Sequence, residues 1–446
     1  MLKVVVRGRK DAGAVKAMIE HFYPDWDIEV LTLQGVRGDE AIFTELASLV
    51  TPRSFYVVLL GRSEVRDAGA IEGSLPPNVV VHVVSKAKVR NARIDELARE
   101  FDIARTAIRL RTRWCRKYEA YVFSSGGEEL RGFRYDPVND AFIGLGLWGK
   151  LAGEVTGLGE LENPLIVRGA GGEHTVYCGT EPCGTFKVLN EGLEVTGRKL
   201  SEPAHRLIHL ENLLKANEGM LKLYEEISAE VLRSFREWAD YVVVPWSGGK
   251  DSTAALVLAL KVFPREKVIA VYSDTGVEFP QTQDYIEEVS RKLSIEVVRV
   301  HAGVDRGILE EGLPLPTHDN RWCTLRKVSA VENCVSGLRG NILVVVGDRD
   351  AESESRFRRP PVCKLSSSRI EVAPLKFWGT ALTQLYIYWN NLKPNPLYLL
   401  GFYRIGCYIC PALRSWELRI LSSIPEVSSV LKDRELFKRF ISSRLK

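Results

Sequence analysis

Residues 241–252 read Tyr-Val-Val-Val-Pro-Trp-Ser-Gly-Gly-Lys-Asp-Ser, and this stretch decides the fold of the C-terminal half. Its β-prone beginning, Tyr241–Pro245, predicts a buried strand, and the apolar run Thr253–Val262 predicts a helix. The two glycines let the backbone turn tightly and approach an anion, while the helix N-terminus supplies free N–H groups. The order strand, glycines, helix therefore predicts a phosphate-binding loop, to which Lys250 adds a positive charge. An ordinary structural turn is the alternative.

Polar or glycine-bearing segments follow three further predicted strands of this half. The strands are Val268–Ser273, Ile295–Val300 and Ile342–Val346. After them come Asp274-Thr275-Gly276 with Glu278, then His301, then Gly347-Asp348-Arg349 with Glu352 and Arg356. In an open parallel α/β sheet, ligands bind at the carboxyl ends of the strands. We therefore predict a doubly wound parallel sheet with a ligand site at that edge.

These motifs resemble the phosphoadenosine phosphosulfate (PAPS) reductase family within the PP-loop ATP-pyrophosphatases, which have the adenine nucleotide α-hydrolase-like fold. The resemblance covers residues 240–412. It rests on Ser-Gly-Gly-Lys-Asp-Ser at 247–252, Asp-Thr-Gly-Val-Glu-Phe-Pro at 274–280, Arg-Trp-Cys-Thr at 321–324, Gly-Asp-Arg-Asp-Ala-Glu-Ser at 347–353, and Asn-Pro-Leu-Tyr through Arg-Ile-Gly-Cys-Tyr-Ile-Cys-Pro at 395–411.

The resemblance implies a set of nucleotide-binding residues. Ser247, Gly248, Gly249, Lys250, Asp251 and Ser252 would hold the phosphates, with Asp274 and Glu278 beside the nucleotide. We predict Lys250, Asp251, Arg349 and Arg356 as catalytic residues. Either arginine can form a bidentate clamp on a sulfate, a phosphate or a second substrate. A surface ion pair with Glu352 or Glu354 is the alternative for these arginines.

Two departures from the family pattern bear on the reaction. Reductases of this family typically carry a reactive cysteine in a C-terminal tail, whereas no cysteine follows Cys410 here. Their phosphate loop also tends to be degenerate, whereas residues 247–252 are intact. Both departures favour cleavage of ATP between its α and β phosphates, giving an adenylated substrate and pyrophosphate, with Mg²⁺ neutralising the phosphates.

Three functions stay open. The first is an ATP-pyrophosphatase that adenylates a substrate for sulfur transfer, with RNA as a candidate acceptor and an unknown sulfur donor. The second is reduction of a sulfonucleotide (PAPS or APS) to sulfite, with Cys407 or Cys410 replacing the tail thiol. The third is a non-catalytic nucleotide- or RNA-binding protein that uses an inherited fold.

The cysteines of the C-terminal half predict a metal centre. Cys407-Tyr-Ile-Cys410 is a C-x-x-C segment, a common geometry for two thiolates on one metal or cluster. With Cys323 and Cys363 it would supply the four thiolates of a [4Fe–4S] cluster or of a tetrahedral Zn²⁺ site. A redox-active dithiol or a disulfide at 407 and 410 is the alternative.

The rest of the chain predicts three further units. Residues 1–104 alternate strand and helix patterns and predict an α/β domain of unknown role with a parallel sheet. Residues 105–200 predict a small, mostly β domain, 201–240 a linker helix, and 241–446 the PP-loop domain. Cys115, His174, Cys178 and Cys183 have atypical spacing for a zinc knuckle, so buried or incidental cysteines are the favoured interpretation.

Composition predicts a cytoplasmic globular protein. The 446 residues carry a net charge of +4, and no run approaches the roughly 18 apolar residues of a membrane span. Eight cysteines are too few for a disulfide scaffold, and the charged N-terminus does not resemble a secretory signal. Three methionines and four glutamines are a paucity of thermolabile residues that is typical of thermophiles.

One segment of the small β domain predicts an RNA partner such as tRNA. It contains Arg105, Arg109, Arg111, Arg113, Arg116 and Lys117, with Trp114 among them and no acid. Arginines attract phosphates, and an aromatic ring can stack on an unpaired base. Pairing of these arginines with acids such as Glu119 or those of 95–102 is the alternative.

Overall fold

The structure is a computed structural model that describes residues 1–444, and the chain begins with a four-stranded parallel sheet. Its elements are β1 (Leu2–Val6), α1 (Arg9–Phe22), β2 (Ile28–Thr32), α2 (Asp39–Leu49), β3 (Phe55–Gly61), α3 (Ala68–Gly73), β4 (Val79–Val84), a 3₁₀ turn (Val89–Asn91) and α4 (Ile94–Leu110). The strand order is β2-β1-β3-β4. The predicted α/β class of this part is confirmed, because apolar β-branched runs alternate with amphipathic helices.

Two antiparallel sheets follow. Their elements are β5 (Arg113–Cys115), β6 (Ala120–Val122), β7 (Glu128–Glu129), β8 (Asp140–Ile143), α5 (Leu147–Thr156), β9 (Leu165–Arg168), a 3₁₀ turn (Ala170–Gly172), β10 (Glu173–Tyr177), β11 (Pro182–Val188) and β12 (Val195–Lys199). The sheets have the orders β6-β5-β7 and β12-β11-β10-β9-β8. This region is mostly β, as predicted. Its α-helix, α5, lies between β8 and β9.

A long helix leads into the C-terminal unit. The elements are α6 (Leu210–Arg233), β13 (Tyr241–Pro245), α7 (Lys250–Val262), a 3₁₀ turn (Arg265–Lys267), β14 (Val268–Asp274), α8 (Pro280–Leu293), β15 (Val297–His301), α9 (Val304–Leu309), α10 (Trp322–Ser336), β16 (Ile342–Val345), α11 (Glu354–Arg358), β17 (Val362–Ser366), β18 (Arg369–Val372), α12 (Thr380–Trp389), α13 (Pro396–Leu399), α14 (Ser415–Ser423), α15 (Pro425–Leu431) and α16 (Glu435–Arg444). The linker helix predicted over 201–240 is therefore shorter, because α6 covers only Leu210–Arg233.

The C-terminal sheet is doubly wound. Its order is β15-β14-β13-β16-β18-β17, and all neighbouring pairs are parallel except β17 with β18. The chain passes from β13 to β14 and β15 on one side and then returns to β16 on the other side of β13. The order of strands reverses between β13 and β16, and ligands bind at such a switch point. The loop after β13 is the predicted phosphate loop.

One buried core joins the first and last sheets. It runs through α6, whose buried face includes Leu213, and it contains Phe377 just before α12. The ring of Phe377 lies 5.6 Å from that of Phe55 on β3 and 6.2 Å from that of Trp26. The N-terminal α/β unit is therefore packed against the C-terminal one by aromatic contacts. No described helix is both long and apolar enough to cross a membrane.

The basic segment 105–117 is largely structural. Arg105 is 1% exposed, donates to the carbonyl of Phe357 at 3.1 Å and lies 3.4 Å from the Asp350 carboxylate. Arg109 is buried and donates to the carbonyl of Asn139 at 2.5 Å. These guanidinium groups fasten α4 to later parts of the chain, so they do not face solvent.

Arg111 and Trp114, which follow in this segment, also make contacts inside the protein. Arg111 is buried, donates to the carbonyl of Val79 at 2.8 Å and pairs with Glu72 at 2.8 Å. Trp114 is buried with its ring 5.0 Å from that of Tyr121. Arg105, Arg109, Arg111 and Trp114 are thus buried and not displayed to an RNA, whereas Arg116 and Lys117 are exposed, with Arg116 paired to Glu128.

We expect Phe377→Ala to lower the free energy of unfolding by about 3–5 kcal/mol, because it removes a buried ring from the shared core. Phe377→Leu should cost less, since it conserves most of the volume. Denaturant unfolding followed by tryptophan fluorescence measures both. Equal midpoints for the wild type and Phe377→Ala would contradict a shared core.

Candidate functional site

The phosphate loop turns at a residue in the left-handed region. Gly248 has φ +72°, and a Cβ there would lie 3.2 Å from Thr282. The N–H groups of Gly248, Gly249, Asp251 and Ser252 donate to no acceptor within residues 1–444. Four backbone donors are thus left at the positive end of α7, where the macrodipole also favours an anion.

The motif around Asn395 braces this loop. The Asn395 side chain caps α13 by accepting from the Leu397 N–H at 3.1 Å, and its amide lies 3.4 Å from the Gly248 carbonyl. The Lys250 N–H donates to the Tyr398 hydroxyl at 3.1 Å. The Asn-Pro-Leu-Tyr segment therefore acts on the nucleotide site through the loop's backbone.

A chain of buried charges lies behind the loop. The Lys250 ammonium is 2.9 Å from one Asp251 oxygen, and Arg349 Nε is 2.6 Å from the other. Arg349 also lies 3.8 Å from Asp140 on β8, which belongs to the small β domain. Burial opposes ionisation of Asp251, but Arg349 and Lys250 hold its pKa below the usual value. Lys250 and Arg349 thus neutralise Asp251 and do not present free charges to solvent.

Asp140 is a member of this site that the sequence reasoning missed. It is 0% exposed and accepts from the Thr380 hydroxyl at 2.6 Å and from the Tyr403 hydroxyl at 2.8 Å. Burial opposes its ionisation, but Arg349 and Arg109 hold the pKa of Asp140 below the usual value. The only signal in the sequence is a carboxylate at the start of an apolar strand.

Gly347 brings β16 against the first turn of α7. A Cβ at this position would lie 2.7 Å from the Asp251 carbonyl carbon and 2.7 Å from the Ser252 nitrogen. Only glycine allows this approach, which places Arg349 beside Asp251. Arg356 lies further along and pairs with Asp348 at 3.2 Å and with Glu352. For Arg356 the ion-pair alternative is therefore the observed state.

Asp274 and Glu278, the two site residues predicted after β14, have different contacts. Asp274 accepts from the Gly276 N–H at 2.9 Å and shapes its own turn. Glu278 is buried, accepts from Lys327 at 3.2 Å and forms a backbone bridge with Cys407. Glu278 therefore lies on the cysteine side of the site, and Lys327 is a further residue that the sequence reasoning missed.

Cys407 and Cys410 lie together at the carboxyl end of β14. The Cys407 thiol donates to the Cys410 sulfur, which lowers the pKa of Cys410 to about 5 against the opposing effect of burial. The charges of Arg404 and Arg321 contribute to the lowering. The same contact raises the pKa of Cys407. These opposite shifts favour the thiolate form of Cys410 and the thiol form of Cys407.

The predicted four-cysteine centre is not assembled. Cys363 lies on β17, four strands from β14, which is roughly 19 Å at the usual strand spacing. Cys323 is buried in the same apolar cluster that Cys407 and Cys410 contact. No group of three or more Cys, His, Asp or Glu side chains within residues 1–444 is placed to hold a metal ion. The four thiols therefore do not fit one iron–sulfur cluster or one Zn²⁺ ion.

Two of the three cysteines of the small β domain, Cys178 and Cys183, are buried, and Cys115 on β5 is half-buried. Cys178 and Cys183 have their sulfur atoms 3.2 Å apart. His174 stacks on Phe186 and bonds the carbonyl of Gly172 through Nδ1 at 2.8 Å. A zinc knuckle is not formed by these residues.

We expect Asp140→Asn to lower the free energy of unfolding by about 3–5 kcal/mol at pH 7, because it breaks a buried ion pair. The folded pKa of Asp140 is depressed, so its contribution is complete above the unfolded value of about 3.9 and is lost as the pH falls through the folded value. Denaturant unfolding at several pH values measures this. Asp284→Asn, an exposed change on α8, is the matched control. Equal losses for both variants at pH 7 would contradict the role of Asp140.

The sequence and the fold of the C-terminal half were compared with those of known proteins. Residues 241–413 match the phosphoadenosine phosphosulfate reductase domain. An adenosine 5′-phosphosulfate reductase of Lysinibacillus sphaericus is 30% identical over 198 residues, which are 43% of this chain and 83% of that protein. An uncharacterised protein of Methanocaldococcus jannaschii is 29% identical over 46% of this chain, and the match spans 44% of that protein's length. The PAPS reductase of Candida auris in its phosphate complex is 23% identical with a TM-score of 0.35, over 44% of this chain and 96% of that one.

Proposed function

Because the chain belongs to the phosphoadenosine phosphosulfate reductase family, we propose that its C-terminal half binds ATP and transfers the adenylyl group to an acceptor. An acceptor oxygen attacks the α-phosphorus, and the bond from that phosphorus to the α–β bridging oxygen breaks. Pyrophosphate leaves with the electron pair, and the acceptor loses its proton to solvent. The adenylated acceptor is then ready for sulfur transfer.

The observation that carries this proposal is the set of free backbone donors in the phosphate loop. The N–H groups of Gly248, Gly249, Asp251 and Ser252 have no acceptor in the part of the chain that the structure describes, and the Ser247 and Ser252 hydroxyls lie 3.1 Å apart beside them. A pyrophosphate group offers enough oxygens to use all of them. Such donors stabilise charge that develops on a departing phosphate without reorganisation of the site.

The charges around the loop suit the same reaction. Asp251 would repel a phosphate, but Lys250 and Arg349 compensate its charge. Glu278 is likewise compensated by Lys327. A Mg²⁺ ion would therefore arrive as part of the nucleotide substrate, coordinated mainly by phosphate oxygens and water, which is its usual mode of binding.

The test is the release of pyrophosphate from ATP by the full chain in the presence of total tRNA or small acceptors. We expect Gly248→Ala to lower ATP affinity at least about ten-fold, because alanine is strained at φ +72° and the loop must move. Gly219→Ala on α6, where a Cβ meets nothing within 4 Å, is the matched control and should bind ATP normally. ATP binding that is equal in both variants would contradict the loop assignment. Release of phosphate instead of pyrophosphate would contradict the reaction.

Sulfonucleotide reduction is a second candidate, and the observation that favours it is the Cys407–Cys410 pair. The Cys410 thiolate would attack the sulfur of adenosine 5′-phosphosulfate, forming S-sulfocysteine and releasing AMP. The Cys407 thiol would then attack the Cys410 sulfur, giving a disulfide and sulfite. The two sulfur atoms supply both electrons, and the single thiol proton, that of Cys407, goes to solvent. The reductase names of the relatives agree with this candidate.

We expect alkylation of Cys410 in reduced, metal-free protein to have its midpoint near pH 5, because the thiolate reacts and the protonated thiol does not. Cys407→Ala removes the hydrogen bond to Cys410 and should move the midpoint upward, whereas Cys334→Ala is the matched control. Peptide-resolved mass spectrometry with iodoacetamide measures the profile. A single turnover with adenosine 5′-phosphosulfate should release sulfite from the wild type but not from Cys410→Ser. Absence of sulfite would exclude this candidate.

A further inference from the structure

Two neighbouring cavities lie between the small β domain and the segment 403–417. Their volumes are about 310 and about 360 Å³, and they share Arg168, Val188, Asn190 and Arg414 in their walls. Neither cavity is lined by the phosphate loop. Both contain residues of β9 and β11, in a part of the chain that the family match does not reach.

The cavity of about 310 Å³ is strongly basic. It is lined by Arg168, Arg321, Arg404 and Arg414, and none of these forms an ion pair with a carboxylate of residues 1–444. Burial and the nearby charge of Arg168 lower the pKa of Arg414. Like charges brought together in this way repel one another, and an anionic ligand would reduce that repulsion.

The residues that line this cavity include four arginines but one carboxyl group, that of Glu417. Burial raises the pKa of Glu417, and its carboxylate accepts from the Arg414 N–H at 3.1 Å, where it caps α14. Burial lowers the pKa of His174 to about 3, so this ring is neutral. His318 is exposed at the rim and adds no negative charge.

Backbone and aromatic groups complete the walls. The Gly-Ala-Gly-Gly turn at 169–172 lines the second cavity, and Gly172 has φ +82° with room for no Cβ, since one would lie 2.1 Å from the Val188 carbonyl. Trp148 and Trp416 are stacked 4.3 Å apart along the first cavity. A glycine turn beside arginines and an indole wall is a combination that suits a phosphorylated nucleotide-like ligand.

We propose that these cavities bind the phosphate of the second substrate, a nucleotide-sized phosphate ester that accepts the adenylyl or sulfur group. This inference rests on the proposed function for the role of the ligand but not for its binding. Tyr403 lines the cavity, and its ring lies 5.8 Å from the Lys250 ammonium and 4.8 Å from Arg168. Arg321 and Arg404 also line the cavity, and their charges contribute to the lowered pKa of Cys410. The cavity wall therefore includes a ring near Lys250 and two arginines whose charges act on Cys410.

The test is a calorimetric titration of the full chain saturated with an ATP analogue whose α–β bridge is a methylene group, so that the loop is filled. The probes are inorganic phosphate, ribose 5-phosphate and a single-stranded RNA dinucleotide. We expect binding that weakens with added salt, as for any contact between arginines and phosphate. Tighter binding of the dinucleotide identifies a polynucleotide source, and tighter binding of ribose 5-phosphate identifies a small metabolite.

Arg404→Gln with Arg414→Gln should weaken phosphate binding by roughly a hundred-fold, since each arginine supplies one charge-assisted contact set. Arg414→Lys conserves the charge and should lose much less, which keeps the test valid if the double variant does not fold. Arg9→Gln on the exposed face of α1 is the matched control. Affinity for the ATP analogue should be unchanged in all variants. No binding of any probe to the wild type, or equal binding to the double variant, would overturn the inference.

Failure of this inference is distinguishable from failure of the proposed function. Loss of analogue binding with retained phosphate binding contradicts the nucleotide site only. Retained analogue binding without phosphate binding contradicts the cavity only. Titrating phosphate without the analogue separates the two sites further, because the arginine substitutions should remove only one of two classes of site.

Discussion

The carboxylate of Asp251 is the constraint on which the site depends. It stands in the first turn of α7, where the helix dipole favours an acid but where a bound phosphate would be repelled. Lys250 and Arg349 each contact one of its oxygens, so the negative charge is compensated before any ligand arrives. The backbone N–H groups are then the groups left to meet an anion.

This compensation ties together parts of the chain that are far apart in sequence. Arg349 reaches Asp251 only because Gly347 lets β16 approach the backbone of α7. Asp140 holds the other side of Arg349 and comes from the small β domain. The docking of that domain is therefore coupled to the geometry of the phosphate loop. Asp140, a residue outside the family domain, thus contributes to the nucleotide site.

How much the sequence predicts depends on the range of the interactions involved. The strands β1 to β4 and β13 to β16 follow from local apolar runs, and the loop from Gly248 and Gly249 next to a helix. The burial of Arg105 and Arg109 does not follow from local pattern, because their partners, Phe357 and Asn139, are 252 and 30 residues away.

The same reason applies to the cysteines and to Asp140. Motif order suggested that Cys363 would meet Cys407, but the antiparallel edge strand β17 carries Cys363 to the far side of the sheet. Asp140 has no motif at all, and only its contacts with Thr380, Tyr403 and Arg349 reveal its role. Sequence pattern thus identifies the nucleotide loop but not the residues that neutralise and brace it from other domains.

The central claim is that the backbone N–H groups of the loop bind the nucleotide phosphates. Hydrogen–deuterium exchange of the peptide covering residues 246–253, with and without ATP, tests it most directly. The account predicts strong protection of this peptide by ATP, with little change in peptides from α2 on the N-terminal sheet. Unchanged exchange in residues 246–253 at a concentration of ATP that saturates the protein would contradict the account.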